Sequence, residues 1–130
     1  MAVLYLDTSA LGRVLLGEPD APAIARELAR FDQHVASRLL AIELRRLALR
    51  HNLLEAATAL LAGVALVPLT DATLGVAETV LPANVTTLDA IHLATALGLA
   101  EAQLLGAIMT YDARLAEGAR AHGLTVITPA

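Results

Sequence analysis

Short apolar runs alternate with longer amphipathic segments along the whole chain. The short runs are rich in aliphatic strand formers and predict buried strands at residues 2–6, 33–37, 64–69, 106–110 and 124–128. The longer segments carry apolar residues at helical spacing and predict helices at residues 8–16, 20–31, 38–52, 53–62, 71–81, 88–100 and 113–122. Asp71 is expected to cap the fifth of these helices.

This alternation is typical of an α/β fold in which helices cover both faces of a mainly parallel sheet. The length of 130 residues fits one domain, residues 1–130. In such sheets the ligand crevice lies beyond the carboxyl ends of the strands. Asp7 and Asp112 directly follow two of the predicted strands, so the pattern places both acids where chemistry is expected.

The composition excludes several kinds of site. Hydrophobic residues make up 57% of the chain, yet it has one Phe, two Tyr and no Trp, which excludes an aromatic platform for stacking bases. It has no Cys and no Lys, so thiolate ligands, a Cys nucleophile and Schiff-base chemistry are excluded. We find neither a signal-peptide pattern nor an apolar run that could span a membrane, and therefore expect a cytoplasmic protein.

Four of the thirteen acidic residues stand in apolar surroundings. They are Asp7 after "VLYL", Glu43 in "LLAIEL", Asp89 in "TLDAIHLA" and Asp112 after "AIMTY". An acid among apolar residues is costly unless it is paired, caps a helix or binds a metal. The three aspartates can each cap a helix, and Glu43 can pair with Arg46 three residues further on.

Carboxylates gathered in one crevice would repel one another and raise each other's pKa. A divalent cation removes this penalty, and ligands that are all oxygen favour Mg²⁺ or Mn²⁺. Such ions can activate water for hydrolysis of a phosphodiester bond. The four acids therefore favour a metal-dependent hydrolase, with helix capping as the alternative.

Four segments resemble the signature blocks of PIN-domain ribonucleases, in the order found in VapC-type toxins of toxin–antitoxin pairs. They are "LYLDTSAL", "SRLLAIELRR", "TLDAIHLATAL" and "TYDARLAEGARAHGLTVITP". The resemblance implies a PIN-like three-layer sandwich with a central sheet of four to five short strands. It also implies an endoribonuclease that requires Mg²⁺ or Mn²⁺, is usually a homodimer and is held inactive by a cognate antitoxin.

The acids of the four blocks fall on Asp7, Glu43, Asp89 and Asp112, which the resemblance makes the metal-binding and catalytic residues. Our hypothesis is that the three aspartates bind the metal. Glu43 would bind it, accept a proton from the attacking water, or do both. The hydroxyls of Ser9 and Thr110 match the family pattern, and we expect them to orient these carboxylates or the water.

The net charge of −4 taken alone argues against binding of nucleic acid. Without the four candidate acids, however, the remaining acids balance the arginines. Arg13 and Arg46 are then candidates for contacts with RNA phosphates. His92 lies three residues after Asp89, and we interpret it as a buried or hydrogen-bonded histidine rather than a ligand.

Three other kinds of protein compete with a ribonuclease. An aspartate-nucleophile phosphatase needs a second acid two residues after the first, where this chain has Ser9, and it also needs a lysine. A phospho-acceptor receiver domain needs the same lysine. A non-catalytic PIN-like module that binds RNA or protein, with a degenerate or inhibited site, stays open as the alternative. If an antitoxin binds, we expect an amphipathic segment to cover apolar faces near residues 10–16 and 39–62.

Overall fold

Five parallel strands form one sheet in the computed structural model, which describes residues 2–130. The strands are β1 (Val3–Leu6), β2 (Gln33–Ser37), β3 (Ala65–Val67), β4 (Ala107–Met109) and β5 (Val126–Ile127). Their order across the sheet is β3-β2-β1-β4-β5, and every neighbouring pair is parallel. The predicted α/β fold with a parallel sheet is confirmed.

Seven helices lie within residues 2–130. They are α1 (Thr8–Leu15), α2 (Ala21–Leu28), α3 (Arg38–His51), α4 (Leu54–Leu61), α5 (Asp71–Ala77), α6 (Thr87–Glu101) and α7 (Ala113–Ala121). No helix of this part of the chain is both long enough and apolar enough to cross a bilayer.

The central strand β1 contributes to both faces of the sheet because its side chains alternate. Leu4 and Leu6 pack into a core with buried residues of α1, α2, α3 and α4. Val3 and Tyr5 pack into a second core with buried residues of α6 and α7. All four side chains are at most 4% exposed, as expected for a parallel strand covered on both sides. The three-layer sandwich is thereby confirmed.

The region of α5 differs from its prediction. Thr70, and not Asp71, is the N-cap residue, since its hydroxyl accepts a hydrogen bond from the Thr73 amide. The helix ends at Ala77, whereas the pattern predicted an end near Leu81. The turn after Ala77 is still hydrogen-bonded, since the Val80 amide donates to the Val76 carbonyl at 3.0 Å, but it is not regular helix. Leu81 precedes Pro82, and the residue before a proline disfavours the helical conformation. Helix α2 also ends early, at Leu28 instead of Phe31.

The order in which successive strands are added to the sheet reverses between β1 and β4. From β1 the sheet grows through β2 to β3 on one side, and then through β4 to β5 on the other. Ligand crevices of open parallel sheets lie at such a point, outside the carboxyl ends of the strands. Asp7 follows β1, and Thr110 follows β4. The fold therefore brings residues distant in sequence to one edge of the sheet.

Candidate active site

Asp7 is the most buried of the four acids, with 4% of its surface exposed. It stands at the N-cap position of α1, but its side chain makes no capping hydrogen bond. Its Oδ2 atom instead accepts hydrogen bonds from the hydroxyls of Ser9, at 2.7 Å, and Thr110, at 2.9 Å. The capping alternative is therefore wrong for Asp7, and Ser9 and Thr110 contact the carboxylate that they were expected to orient.

Backbone amides fix the direction of these two hydroxyls. The Tyr111 amide donates to Ser9 Oγ at 2.8 Å, and the Asp112 amide donates to Thr110 Oγ1 at 3.0 Å. Because each hydroxyl oxygen already accepts an N–H, its own proton is available to Asp7. The arrangement holds one oxygen of the Asp7 carboxylate in place from two sides.

Asp112 and Asp89 lie at the starts of two helices that begin near this edge. Asp112 caps α7, since its Oδ1 accepts from the Leu115 amide at 2.9 Å. The capping alternative is thus correct for one oxygen of Asp112. Asp89 lies in the first turn of α6 but does not cap it, because Thr86 is the N-cap residue. Its Oδ2 accepts a hydrogen bond from the Thr86 hydroxyl at 3.0 Å.

Burial and two neighbouring carboxylates act together on Asp89. Burial of this half-buried side chain, together with repulsion from Asp112 and Asp7, raises its pKa to about 6. The hydrogen bond from Thr86 and the nearby His92 act in the opposite direction but do not outweigh burial. Three carboxylates thus share one electrostatic environment, which opposes the ionisation of Asp89.

Glu43 reaches the same edge from the second turn of α3. Its Oε1 atom accepts hydrogen bonds from the Thr8 hydroxyl at 2.6 Å and from His92 Nε2 at 2.8 Å. Burial alone would raise the pKa of Glu43, but these two donors outweigh it and hold the pKa below the ordinary value. The predicted alternative, a pair with Arg46, is wrong because Glu43 is bound to His92 and Thr8.

His92 connects Glu43 to the interior of the protein. It is 1% exposed, and its Nδ1 atom lies 2.8 Å from the hydroxyl of Tyr5. The Tyr5 oxygen also accepts a hydrogen bond from the Ser37 amide at 3.1 Å. Burial raises the pKa of Tyr5 far above its ordinary value, so the hydroxyl keeps its proton. The expectation of a buried, hydrogen-bonded histidine is confirmed.

The acids do not form a closed coordination shell. Within residues 2–130, no three His, Asp or Glu side chains have the arrangement of a metal site. Asp89 and Asp112 each use one oxygen for a hydrogen bond at the start of their own helix. The structure therefore brings the predicted acids to one edge of the sheet without converging them on a single point.

Comparison with known proteins identifies the family. The family model described as PIN domain matches residues 4–121. The chain belongs to the PIN-domain family. Two ribonucleases of Mycobacterium tuberculosis, VapC47 and VapC46, are each 37% identical to it. These alignments cover 98% of this chain and 97% of VapC47, and 99% of both chains for VapC46. The resemblance to VapC-type ribonucleases is therefore confirmed.

Solved structures share the fold of this PIN domain. The crystal structure of Mycobacterium tuberculosis VapC20, described as a sarcin–ricin loop cleaving toxin, superposes with a TM-score of 0.74 at 18% identity. That match covers 97% of this chain and 99% of VapC20. A toxin–antitoxin complex from Klebsiella pneumoniae gives a TM-score of 0.71 at 19% identity, with coverage of 100% and 98%.

The two candidate phosphate-binding arginines of the PIN domain differ in their surroundings. Arg13 Nη1 lies 3.1 Å from Asp20 Oδ2, and its guanidinium carbon lies 4.2 Å from the centre of the Tyr111 ring. Arg46 is exposed on α3, three residues after Glu43. A cavity of about 360 Å³ lies along α1, and none of the four candidate acids lines it. Its lining comprises Thr8, Ser9, Gly12, Arg13, Leu16, Glu18 and Leu47.

Sequence reasoning does not identify three polar side chains of this PIN domain. Thr8 donates to Glu43, which lies 35 residues further along the chain, and Tyr5 contacts His92, which lies 87 residues further along. The hydroxyl of Thr86 donates to Asp89. Thr8 stands beside Asp7, but a hydroxyl there is indistinguishable from an ordinary first-turn residue of a helix. Tyr5 carries a clearer signal, since it is one of only two tyrosines and lies within an otherwise aliphatic strand.

Proposed function

We propose that the protein is an endoribonuclease that hydrolyses RNA phosphodiester bonds with the help of Mg²⁺ or Mn²⁺. We further propose that residues 1–130 act as one cytoplasmic domain. The observation that carries the proposal is the shared environment of Asp89, Asp112 and Asp7, in which burial and mutual repulsion raise the pKa of Asp89. Relatives that are 37% identical over nearly the whole chain are named ribonucleases, which supports the same reaction class.

The donor set fits a hard divalent cation in its chemistry, whereas the side chains do not converge on one point. Every candidate ligand is a carboxylate oxygen, and the repulsion that opposes ionisation of Asp89 is the penalty that a cation relieves. Asp7, Asp89 and Asp112 would hold the ion. When bound, it would supply Lewis acidity for activation of water and for stabilisation of the leaving oxygen. Asp112 uses Oδ1 to cap α7, so its Oδ2 atom is available to bind the ion.

Glu43 is suited to accept a proton. Its pKa is held below the ordinary value by His92 and Thr8, so the group is ionised at neutral pH. Both of these donors bind Oε1, and Oε2 is the atom that would receive the proton from attacking water. The same two donors restrict rotation of the carboxylate, so the base is held in one orientation.

Arginines would bind the phosphates on either side of the bond that is cut. Arg46 is exposed and lies near Glu43 along α3, which supports a direct contact. Arg13 already has Asp20 as an ion partner, so a phosphate would compete with that carboxylate for its guanidinium. We therefore propose that Arg46 contributes more to RNA affinity than Arg13 does.

Cleavage of total RNA by the purified protein tests the proposal. We expect cutting with Mg²⁺ or Mn²⁺, none with EDTA, and loss of cutting in Asp89→Asn. Asp71→Asn is the matched control because it removes an exposed carboxylate from the first turn of another helix, α5. Calorimetry with Mn²⁺ on the same three proteins measures metal binding without relying on turnover.

Three results would argue against the assignment of a metal-dependent ribonuclease. Equal cutting by the wild type and Asp89→Asn would indicate a contaminating nuclease and remove the evidence for this site. Binding of Mn²⁺ without any cutting would favour the non-catalytic binding module instead. If the protein neither binds Mn²⁺ nor cuts RNA, that result would contradict the metal site itself.

A protein partner is the second part of the proposal. The neighbour from Klebsiella pneumoniae is a toxin–antitoxin complex, and VapBC2 from Rickettsia felis, bound to a DNA fragment from its promoter, superposes with a TM-score of 0.67 at 11% identity. We propose that this chain forms a homodimer and that an antitoxin covers its α1, α3 and α4 surface. Four large apolar side chains are exposed there: Leu16, Ile42, Leu49 and Leu54.

Sedimentation velocity measures both the homodimer and the complex with an antitoxin. The isolated chain should sediment as a dimer, and co-expression with a cognate antitoxin should give a larger, inactive complex. Leu49→Asp should weaken that complex, whereas Leu104→Asp, at an exposed position outside α1, α3 and α4, should not. Equal behaviour of the two variants would contradict the proposed surface.

A further inference from the structure

Buried hydrogen bonds connect the backbone of β2 to the candidate base Glu43. The Ser37 amide donates to the Tyr5 oxygen at 3.1 Å, and the Tyr5 hydroxyl lies 2.8 Å from His92 Nδ1. On the other side of the ring, His92 Nε2 lies 2.8 Å from Glu43 Oε1. Tyr5, His92 and Ser37 are each at most 1% exposed, so water does not compete for these contacts.

We propose that Tyr5 is a positioning residue, which holds the His92 ring in place and thereby keeps the Glu43 carboxylate in the orientation needed for catalysis. The catalytic consequence rests on the proposed function. The hydrogen-bond arrangement does not, because it can be measured in the protein without metal or RNA.

The contacts of His92 hold its ring from both sides. An ionised Glu43 can only accept, so His92 Nε2 carries the proton that joins the two groups. The same Nε2 atom lies 3.6 Å from Asp7 Oδ1. The Tyr5 oxygen contacts His92 Nδ1, which accepts the Tyr5 proton when the ring is neutral and donates to the Tyr5 oxygen when the ring is cationic. Tyr5 therefore fixes the orientation of the ring in either protonation state, and with it the nitrogen that faces Glu43.

Packing does not explain why residue 5 carries a hydroxyl. The Tyr5 ring packs with aliphatic side chains on its face of the sheet, including Val3 and Ile108. It meets the His92 ring edge-on, with centroids 5.9 Å apart and an angle of 76°. A phenylalanine would fill almost the same volume, but it would leave the Ser37 amide and His92 Nδ1 without their common partner. The hydroxyl therefore serves the polar contacts and not the core.

Crystal structures of the metal-free wild type and of Tyr5→Phe test the first half of the proposal. In the wild type, His92 should face Tyr5 with Nδ1 and Glu43 with Nε2. In Tyr5→Phe the ring should rotate or become disordered, and the Glu43 carboxylate should lose its single orientation. An unchanged ring and carboxylate in Tyr5→Phe would overturn the proposal.

Steady-state cleavage tests the second half. Tyr5→Phe should lower kcat about 10- to 100-fold, the usual effect of losing a residue that orients a catalytic ligand, with little change in KM for RNA. Ile108→Val is the control, because it removes one methylene from the same buried core without touching a polar group. An equal loss of kcat in Ile108→Val would mean that Tyr5 acts through packing alone.

A double-mutant cycle with His92→Gln separates action through His92 from any other effect. The glutamine amide can still donate to Glu43, but the ring nitrogen through which Tyr5 acts is no longer present. Tyr5→Phe should therefore cause no further loss of kcat in the His92→Gln background. An undiminished loss there would overturn the proposal. A wild type that cuts no RNA would overturn the proposed function instead, and the two metal-free crystal structures would still decide whether Tyr5 holds His92 in place.

Discussion

Asp89 combines three features that are unfavourable for a carboxylate: partial burial, Asp112 nearby and Asp7 nearby. Its single hydrogen bond from Thr86 compensates only in part. Either a proton or a cation can relieve the repulsion, so the two should compete for this site. Proton binding by Asp89 therefore affects both the stability of the metal-free protein and its affinity for a metal.

The pH dependence of stability follows from the raised pKa of Asp89. Between the ordinary pKa of an aspartate and a pH of about 6, the folded protein binds more proton at Asp89 than the unfolded chain does. The contribution of Asp89 to stability is therefore full at low pH and is lost as the pH rises through about 6. Asp89→Asn, which cannot ionise, should be more stable than the wild type at pH 7.5, and the advantage should disappear near pH 4.

Urea denaturation with EDTA at pH 4, 6 and 7.5 measures this difference. Asp71→Asn is the appropriate control, since it replaces an exposed aspartate that faces no comparable burial. Asp71→Asn should not show the gain in stability at pH 7.5 that is expected of Asp89→Asn. If Asp89→Asn were less stable than the wild type at pH 7.5, repulsion among the aspartates would not be the dominant cost.

The four acids could be selected from sequence because a carboxylate in an apolar segment requires a reason. Their hydrogen-bond partners could not be selected in the same way. Thr8 and Thr86 are ordinary residues for the start of a helix, and only the tertiary structure shows which carboxylate each hydroxyl contacts. Asp112 shows a further difficulty, because the capping and functional interpretations apply to different oxygens of one side chain.

At the level of elements, Ser37 connects the end of β2 to the start of α3. Its hydroxyl accepts from the Leu39 amide at 3.1 Å and so caps the helix that carries Glu43. Its own amide donates to the Tyr5 hydroxyl. The residue is completely buried, so no water can replace the cap if the hydroxyl is removed. Ser37 therefore holds the start of α3, the helix that carries Glu43.

Ser37→Ala should lower the free energy of unfolding by about 0.5–2 kcal/mol, the typical cost of losing an N-cap. It should also lower cleavage on the order of 10-fold, since a small displacement of a catalytic group is enough for such a loss. Thr70→Ala removes a cap from α5, outside the site, and should lower stability without lowering cleavage. Denaturation and turnover of both variants measure this. Equal losses of cleavage would mean that Ser37 acts through global stability.

Predictions at the level of elements succeed where burial and pattern agree. Strand β1 is apolar throughout and is buried on both faces, so its position is clear from sequence. Helix α5 is the opposite case, because its apolar residues, such as Val76 at 50% exposure, do not enter a core. Its pattern is helical, but the length of the helix depends on tertiary contacts that the pattern does not contain.

At the level of the whole molecule, the candidate metal ligands and the candidate base come from four separate parts of the chain. Asp7 follows β1, Glu43 lies in α3, Asp89 lies in α6 and Asp112 caps α7. The unfolded chain cannot bring these groups together, so a cation bound by them would bind only the folded state. Binding energy at the site would then stabilise the whole fold.

Thermal unfolding measures this coupling directly. A ligand at one hundred times its Kd stabilises the folded state by about 2.7 kcal/mol, which for a domain of this size raises Tm by on the order of 10 °C. We expect an increase of this order with saturating Mn²⁺ in the wild type and in Asp71→Asn, and little or none in Asp89→Asn. EDTA should reverse it. The same increase in Asp89→Asn would show that Mn²⁺ stabilises the protein at another place, because loss of a carboxylate ligand must weaken binding at this edge of the sheet.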